Sequence, residues 1–217
     1  MQENFQTFSS KVYTCLAGAL GLSAFAAWIT SHTSLLVLSL SPAAMIIVFI
    51  IEIGLVIWLS RASQKLSPTS ALVGLGVYSL LNGFTLAYLF LYYDLGSLVI
   101  TFVSCAFFFI LLGTIGRTHL IDLNKFSTIF FIGLIASVIV SVVNIFLGSH
   151  TLDMLVNVFG IIIFMGLTLY DHQKIRQISE TAGDDCDRLV VPMALQVYLD
   201  FVNLFLRLLQ FFGRRRD

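Results

Sequence analysis

Seven stretches of this chain hold almost nothing but apolar side chains, and each is about 20 residues long, the length of α-helix that crosses the hydrocarbon of a bilayer. They fall at roughly 12–29, 42–59, 71–93, 95–115, 126–147, 154–170 and 192–212. Only 11% of the residues are charged and 58% are hydrophobic, whereas a soluble domain carries about 25% charged residues to clothe its surface. A chain this poor in charge has lipid as its solvent. The expected fold is an all-α integral membrane protein: one domain over residues 1–217 with seven transmembrane helices.

Prolines agree with that division. Pro42 and Pro192 stand where a helix can begin at little cost, Pro68 lies in the loop before the third span, and no span is expected to contain a proline. Asp94-Leu95-Gly96 reads as a tight turn between antiparallel third and fourth helices. Lys11 ahead of the first run, with the small-x-small pattern Ala24-Phe25-Ala26, imitates an export signal. That run is too long for a signal core and ends in Trp28, an interface residue, so it is expected to be retained as a span.

Lys11, Arg61, Lys65, Arg117, Lys125, Lys174, Arg176 and Arg188 all fall on one side of the seven spans. The loops around 31–41, Asp94 and 149–153 carry no Lys or Arg. By the positive-inside rule the N-terminus is cytoplasmic. The tail conflicts with this, because seven crossings put Arg214, Arg215 and Arg216 outside. A re-entrant last segment would return them to the cytoplasm; seven crossings is the expectation adopted. No basic arm points to nucleic acid, and Cys15, Cys105 and Cys186 lack metal-ligand spacing.

Function is expected in the few polar groups placed inside spans. Gln196, Asp200, Asn203, Arg207 and Gln210 recur at helical steps in the last span, and at 3.6 residues per turn they share an arc of about 80°. Such a stripe cannot face lipid, where each ionised group costs at least about 2.5 kcal/mol. Gln196 and Asn203 suit hydrogen bonds between helices; Asp200, an acid deep in a span, suits function. In the sixth span Asn157, Thr168 and Asp171 share a face. Two carboxylates held close cannot easily both ionise, so Asp171 and Asp200 would share a proton and respond to pH; ionised, they offer the hard oxygens that Ca²⁺ accepts. Glu52, inside the second span, marks an ion pathway or a pairing site, and Arg61 ends that span as an anchor or a partner for a carboxylate. Tyr78, Asn82 and Thr85, and separately Ser137, Ser141 and Asn144, read as packing stripes, and Gly113 and Gly116 as a place for close helix contact.

Leu112-Gly113-Thr114-Ile115-Gly116, Leu169-Tyr170-Asp171 with Gln173-Lys174-Ile175, and the whole run from Ala194 to Phe205 resemble the transmembrane Bax inhibitor motif family, closest to its bacterial branch. The likeness extends from the second span onward; the first span matches in hydrophobicity only. The resemblance implies a seven-helix fold with the last helix at the centre, in the bacterial inner membrane. It also implies a pH-sensitive calcium leak in which Asp171 and Asp200 form the proton-sharing pair and Arg61 holds the closed state. The spacing from Glu52 to Arg61 is shorter than the family pattern, and Arg207 stands where that pattern has a neutral polar group, so it would lower cation conductance or neutralise Glu52. Calcium is then cargo, no resident cofactor is expected, and the partners are the bilayer, calcium and protons.

The alternative is a membrane regulator that binds a protease or another membrane complex without conducting ions, with Glu180, Asp184, Asp185 and Asp187 as a docking loop. Catalysis is not expected. An intramembrane aspartyl protease wants a glycine-x-glycine-aspartate motif for its second acid, whereas Val197-Tyr198-Leu199 precede Asp200. A retinal protein needs a lysine in its last span, which this chain lacks.

Overall fold

The computed structural model describes residues 2–62, 67–116, 123–181 and 186–216. Lys65, Arg117, Asp184 and Asp185 lie outside the described residues. Among the described residues the chain is helical and forms no strand: α1 (Gln2–Ser31), α2 (Leu35–Ser39), α3 (Pro42–Ala62), α4 (Pro68–Leu86), α5 (Leu89–Tyr92), α6 (Leu95–Gly116), a 3₁₀ turn (Leu123–Lys125), α7 (Ser127–Leu147), α8 (His150–Thr181) and α9 (Cys186–Phe212). Seven of these segments are long and apolar enough to cross a bilayer, with α4 and α5 together making the third. Apolar side chains on α3 and α7 stay largely exposed, as lipid contact requires, whereas 61% of the apolar window of α9 is buried, the highest share of any span.

Local chemistry sets several helix ends. Pro68 occupies the first turn of α4 while the Ser67 hydroxyl accepts the Ser70 N–H. α7 stops at Gly148, whose φ of 61° lies in the left-handed region and whose N–H reaches the Asn144 carbonyl. The Asn144 side chain then both donates to and accepts from the Ser149 backbone, closing the turn into α8.

Three boundaries differ from expectation. α8 runs on to Thr181, so Asp171 lies inside a helix instead of near its end. The third span breaks at Ala87–Tyr88 before α5. α9 starts at Cys186 and continues through Pro192, where a helix start was expected. The proline removes one intrahelical hydrogen bond; the added turns bury Val190 and Val191 and bring Asp187 to Lys11.

Two compact units can be described. The first comprises residues 1–94, 177–198 and 215–217, the second 95–176 and 199–214. In the first, α4 packs against α1 and α3. A Cβ at Gly83 would lie 2.3 Å from the Ser23 carbonyl oxygen, so only glycine lets α1 and α4 approach this closely. Tyr198, fully buried on α9, ties this unit together: its hydroxyl meets Ser23 Oγ at 2.7 Å and donates to Asn82 Oδ1 at 2.8 Å, and its ring packs edge-on against Tyr78. In the second unit Phe102 and Phe109 of α6 pack edge-on against Phe201 of α9. Gly113 and Gly116 leave room there for the His172 ring and the Leu169 carbonyl of α8, so both expected glycines do sit at a close helix contact.

Contacts inside each unit settle the course of α9. At its start Lys11 and Asp187 form an ion pair of 2.6 Å. At its end, in the first unit, Arg216 N–H donates to the Tyr92 carbonyl, its guanidinium donates to the Phe90 carbonyl, and Arg215 forms an isolated bridge with Tyr93. In the second unit Gln210 donates to Asp153 and Arg214 N–H to Ser97. The helix has 27 residues, about 40 Å of rise, long enough to cross a bilayer. Arg214, Arg215 and Arg216 therefore lie at the end of α9 opposite its pairing with Lys11, the arrangement that seven crossings call for.

Two outcomes follow. In a background lacking Cys15, Cys105 and Cys186, single cysteines at Ser34 and Arg214 should react with an impermeant thiol reagent from one face of the membrane, and one at Asp187 from the other; labelling of 187 and 214 from the same face would contradict the crossing. Tyr198→Phe should lower unfolding stability in mixed micelles by about 1 kcal/mol, because Asn82 and Ser23 each lose a buried partner; an unchanged midpoint would remove Tyr198 from that role.

Candidate functional site

α8 carries a buried face through Asn157, Gly160, Phe164, Thr168, Asp171 and Ile175, at steps of three and four that keep one side of a helix together. Thr168 satisfies its hydroxyl on the Phe164 carbonyl one turn back. This face places Asp171, 1% exposed, beside Asp200, 6% exposed, on the second half of α9. The two carboxyl groups face each other closely enough for a proton shared between them to bridge the two helices. Carboxylates only accept hydrogen bonds, so a bond between two such groups requires one proton. Asp200 Oδ2 is buried, and no N–H or O–H donor among the described residues reaches it.

The neighbours of the pair are themselves fastened. His172 is buried, with Nδ1 2.7 Å from the Thr168 carbonyl oxygen and its ring edge-on to Phe109. Gln173 accepts the Leu123 N–H through Oε1 at 3.0 Å. Gln173 entered the sequence reading only as part of a family motif and His172 not at all, because a polar run that follows an apolar stretch reads as solvated loop. The long extension of α8 is the missing information.

The other stripe residues grow more accessible toward the C-terminal end: Asp200 is buried, Asn203 and Arg207 are half-buried, and Gln210 is exposed. Asn203 donates to the Leu199 carbonyl of its own helix instead of bonding across helices. Arg207 donates to the Val156 carbonyl, while the Asn157 amide donates to the Arg207 carbonyl. Asn157 Oδ1 is left buried without a partner.

Glu52 and Arg61 belong to the other unit. Glu52 is 8% exposed and accepts from Thr85 Oγ1 at 3.3 Å, with the Asn82 side chain close by. Asn82 in turn accepts from Tyr198 on its side chain and from Thr85 Oγ1 on its carbonyl, so Ser23, Tyr198, Asn82 and Thr85 form a polar cluster that reaches Glu52. Tyr78, Asn82 and Thr85, expected to be a packing stripe, thus include two groups that serve the buried acid. Ser137 and Ser141 bond only to carbonyls of their own helix among the contacts described. Arg61 ends α3 exposed. Among the described residues no three His, Cys, Asp or Glu side chains cluster in a way that could hold a metal ion.

Comparison with known proteins supplies the lineage. A chain of Borreliella burgdorferi is 36% identical over 215 residues, covering 97% of this chain and 93% of the relative. The Escherichia coli K12 protein named inner membrane protein YbhL is 36% identical over 217 residues, covering 97% and 93%. A membrane protein of Streptococcus pyogenes serotype M1 is 34% identical over 212 residues, covering 95% and 92%. The family model described as "Inhibitor of apoptosis-promoting Bax1" matches residues 5–217. With seven apolar helices and that match across nearly its whole length, the chain belongs to the Bax inhibitor-1-like family of membrane proteins.

Proposed function

We propose that this protein is a pH-sensitive calcium leak channel or transporter of the bacterial inner membrane, gated by the proton that Asp171 and Asp200 share. The supporting observation is that two carboxyl groups face each other, both buried in the packed interior of a membrane-spanning unit. With the proton in place the pair joins α8 to α9 and carries less charge. Loss of the proton leaves two facing carboxylates that repel each other across the helix contact. Separation of the helices then exposes hard oxygen ligands suited to Ca²⁺. Arg61 is assigned to the closed state as a partner for the acid pair, and Glu52, Asn203 and Arg207 to the ion pathway. The inner membrane is the location named for the YbhL relative, and a cytoplasmic N-terminus follows from the positive-inside rule.

The alternative of a non-conducting regulator of a membrane protease draws less support. Of the proposed docking loop, Asp187 is already engaged by Lys11.

Purified protein in liposomes loaded with a calcium dye tests the proposal. Calcium entry should rise as pH increases through the neutral range. Asp171→Asn and Asp200→Asn should each abolish that pH dependence, since neither leaves a pair of acids to exchange one proton. Variant profiles that superimpose on the unaltered protein would refute the gate.

A further inference from the structure

Arg207 lies on the same face of α9 as Asp200, seven residues further along, about 10 Å toward the C-terminal end. Its surroundings within the second unit are unusual for a membrane arginine. A Cβ at position 160 would fall 2.8 Å from both Cζ and Nε of Arg207, so the guanidinium occupies the notch left by Gly160. It makes one long hydrogen bond there, from Nη1 to the Val156 carbonyl at 3.3 Å. A guanidinium has five N–H donors, so packing within this unit satisfies little of it. Asp153 is near enough for its charge to act on Arg207, but Asp153 Oδ2 accepts from Gln210, and among the described residues of this unit no carboxylate stands within ion-pair distance of the guanidinium. The Asn157 amide clamps the Arg207 carbonyl at 3.1 Å, fixing α9 to α8 at this level.

Arg207 is thus half-buried, seated by a missing side chain, and held as a positive charge on the polar stripe. We infer that Arg207, positioned by Gly160, is a fixed electrostatic barrier on the ion pathway that keeps cation flow low and disfavours divalent over monovalent cations. The inference rests on the proposed leak and adds the feature that limits it. Fixed charges beside a pathway act on permeating ions through their sign and valence. A barrier of this kind scales with ionic charge, so removing it multiplies divalent flux by the square of the monovalent factor. Loosened packing would instead admit ions of either sign.

Liposomes carrying the full-length protein, with separate dyes for Ca²⁺, Tl⁺ and Cl⁻, distinguish these cases. Arg207→Gln should raise Tl⁺ flux about threefold and Ca²⁺ flux about tenfold, with Cl⁻ flux unchanged or lower. Arg207→Lys, which keeps the charge, should restore low Ca²⁺ flux. Gly160→Ala, which displaces the flexible guanidinium from its notch, should move selectivity in the direction of Arg207→Gln by a smaller factor and keeps the test available if that variant fails to fold. Equal increases for cations and anions, or unchanged fluxes in Arg207→Gln while the unaltered protein still leaks Ca²⁺ with pH dependence, would overturn the barrier and leave the acid gate standing. No flux from any of these proteins would overturn both.

Discussion

Hydrocarbon offers no hydrogen bonds, so every polar atom this chain places between its membrane faces must be answered by another part of the chain, by a proton, by water or by an ion. The rest of the structure follows from that demand. Ser23, Tyr198, Asn82 and Thr85 answer one another and end on Glu52. Asp171 answers Asp200. Gly83 brings two helices close enough for the first set of contacts, and Gly113 and Gly116 let α6 pack closely on the stretch of α8 that carries Asp171 and His172.

The two polar sets differ in what they can do. The cluster around Tyr198 ends on a single acid that accepts from the Thr85 hydroxyl, an arrangement that stabilises helix packing as well as charge. The acid pair needs a proton if its two carboxyl groups are to bond, and no N–H or O–H donor among the described residues reaches the buried Asp200 Oδ2. Two buried carboxyl groups facing each other are costly in a purely structural setting.

The number and approximate position of the spans were legible in the sequence because bilayer thickness imposes a length and apolarity that few other folds share. Their ends were not, because helices continue past the hydrocarbon for reasons that lie in tertiary contacts. α9 passes through Pro192 to reach Lys11, and α8 carries Asp171 well inside a helix. Charge placement alone could not decide where Arg214, Arg215 and Arg216 go; the backbone contacts of Arg215 and Arg216 with Tyr93 and Tyr92 do. Asp171, Asp200 and Glu52 stood out because an acid within an apolar run demands explanation. Ser23 and Tyr198 did not, since hydroxyl residues are ordinary in spans and only the packed helices reveal that these two share a hydrogen bond.

The central claim is that one proton resides between Asp171 and Asp200, and infrared spectroscopy reads it most directly. The protein in lipid at neutral pH should show a carbonyl stretch of a protonated carboxyl group that shifts on exchange into D₂O and is altered in Asp200→Asn and in Asp171→Asn. A spectrum with no protonated carboxyl band attributable to either residue would contradict it.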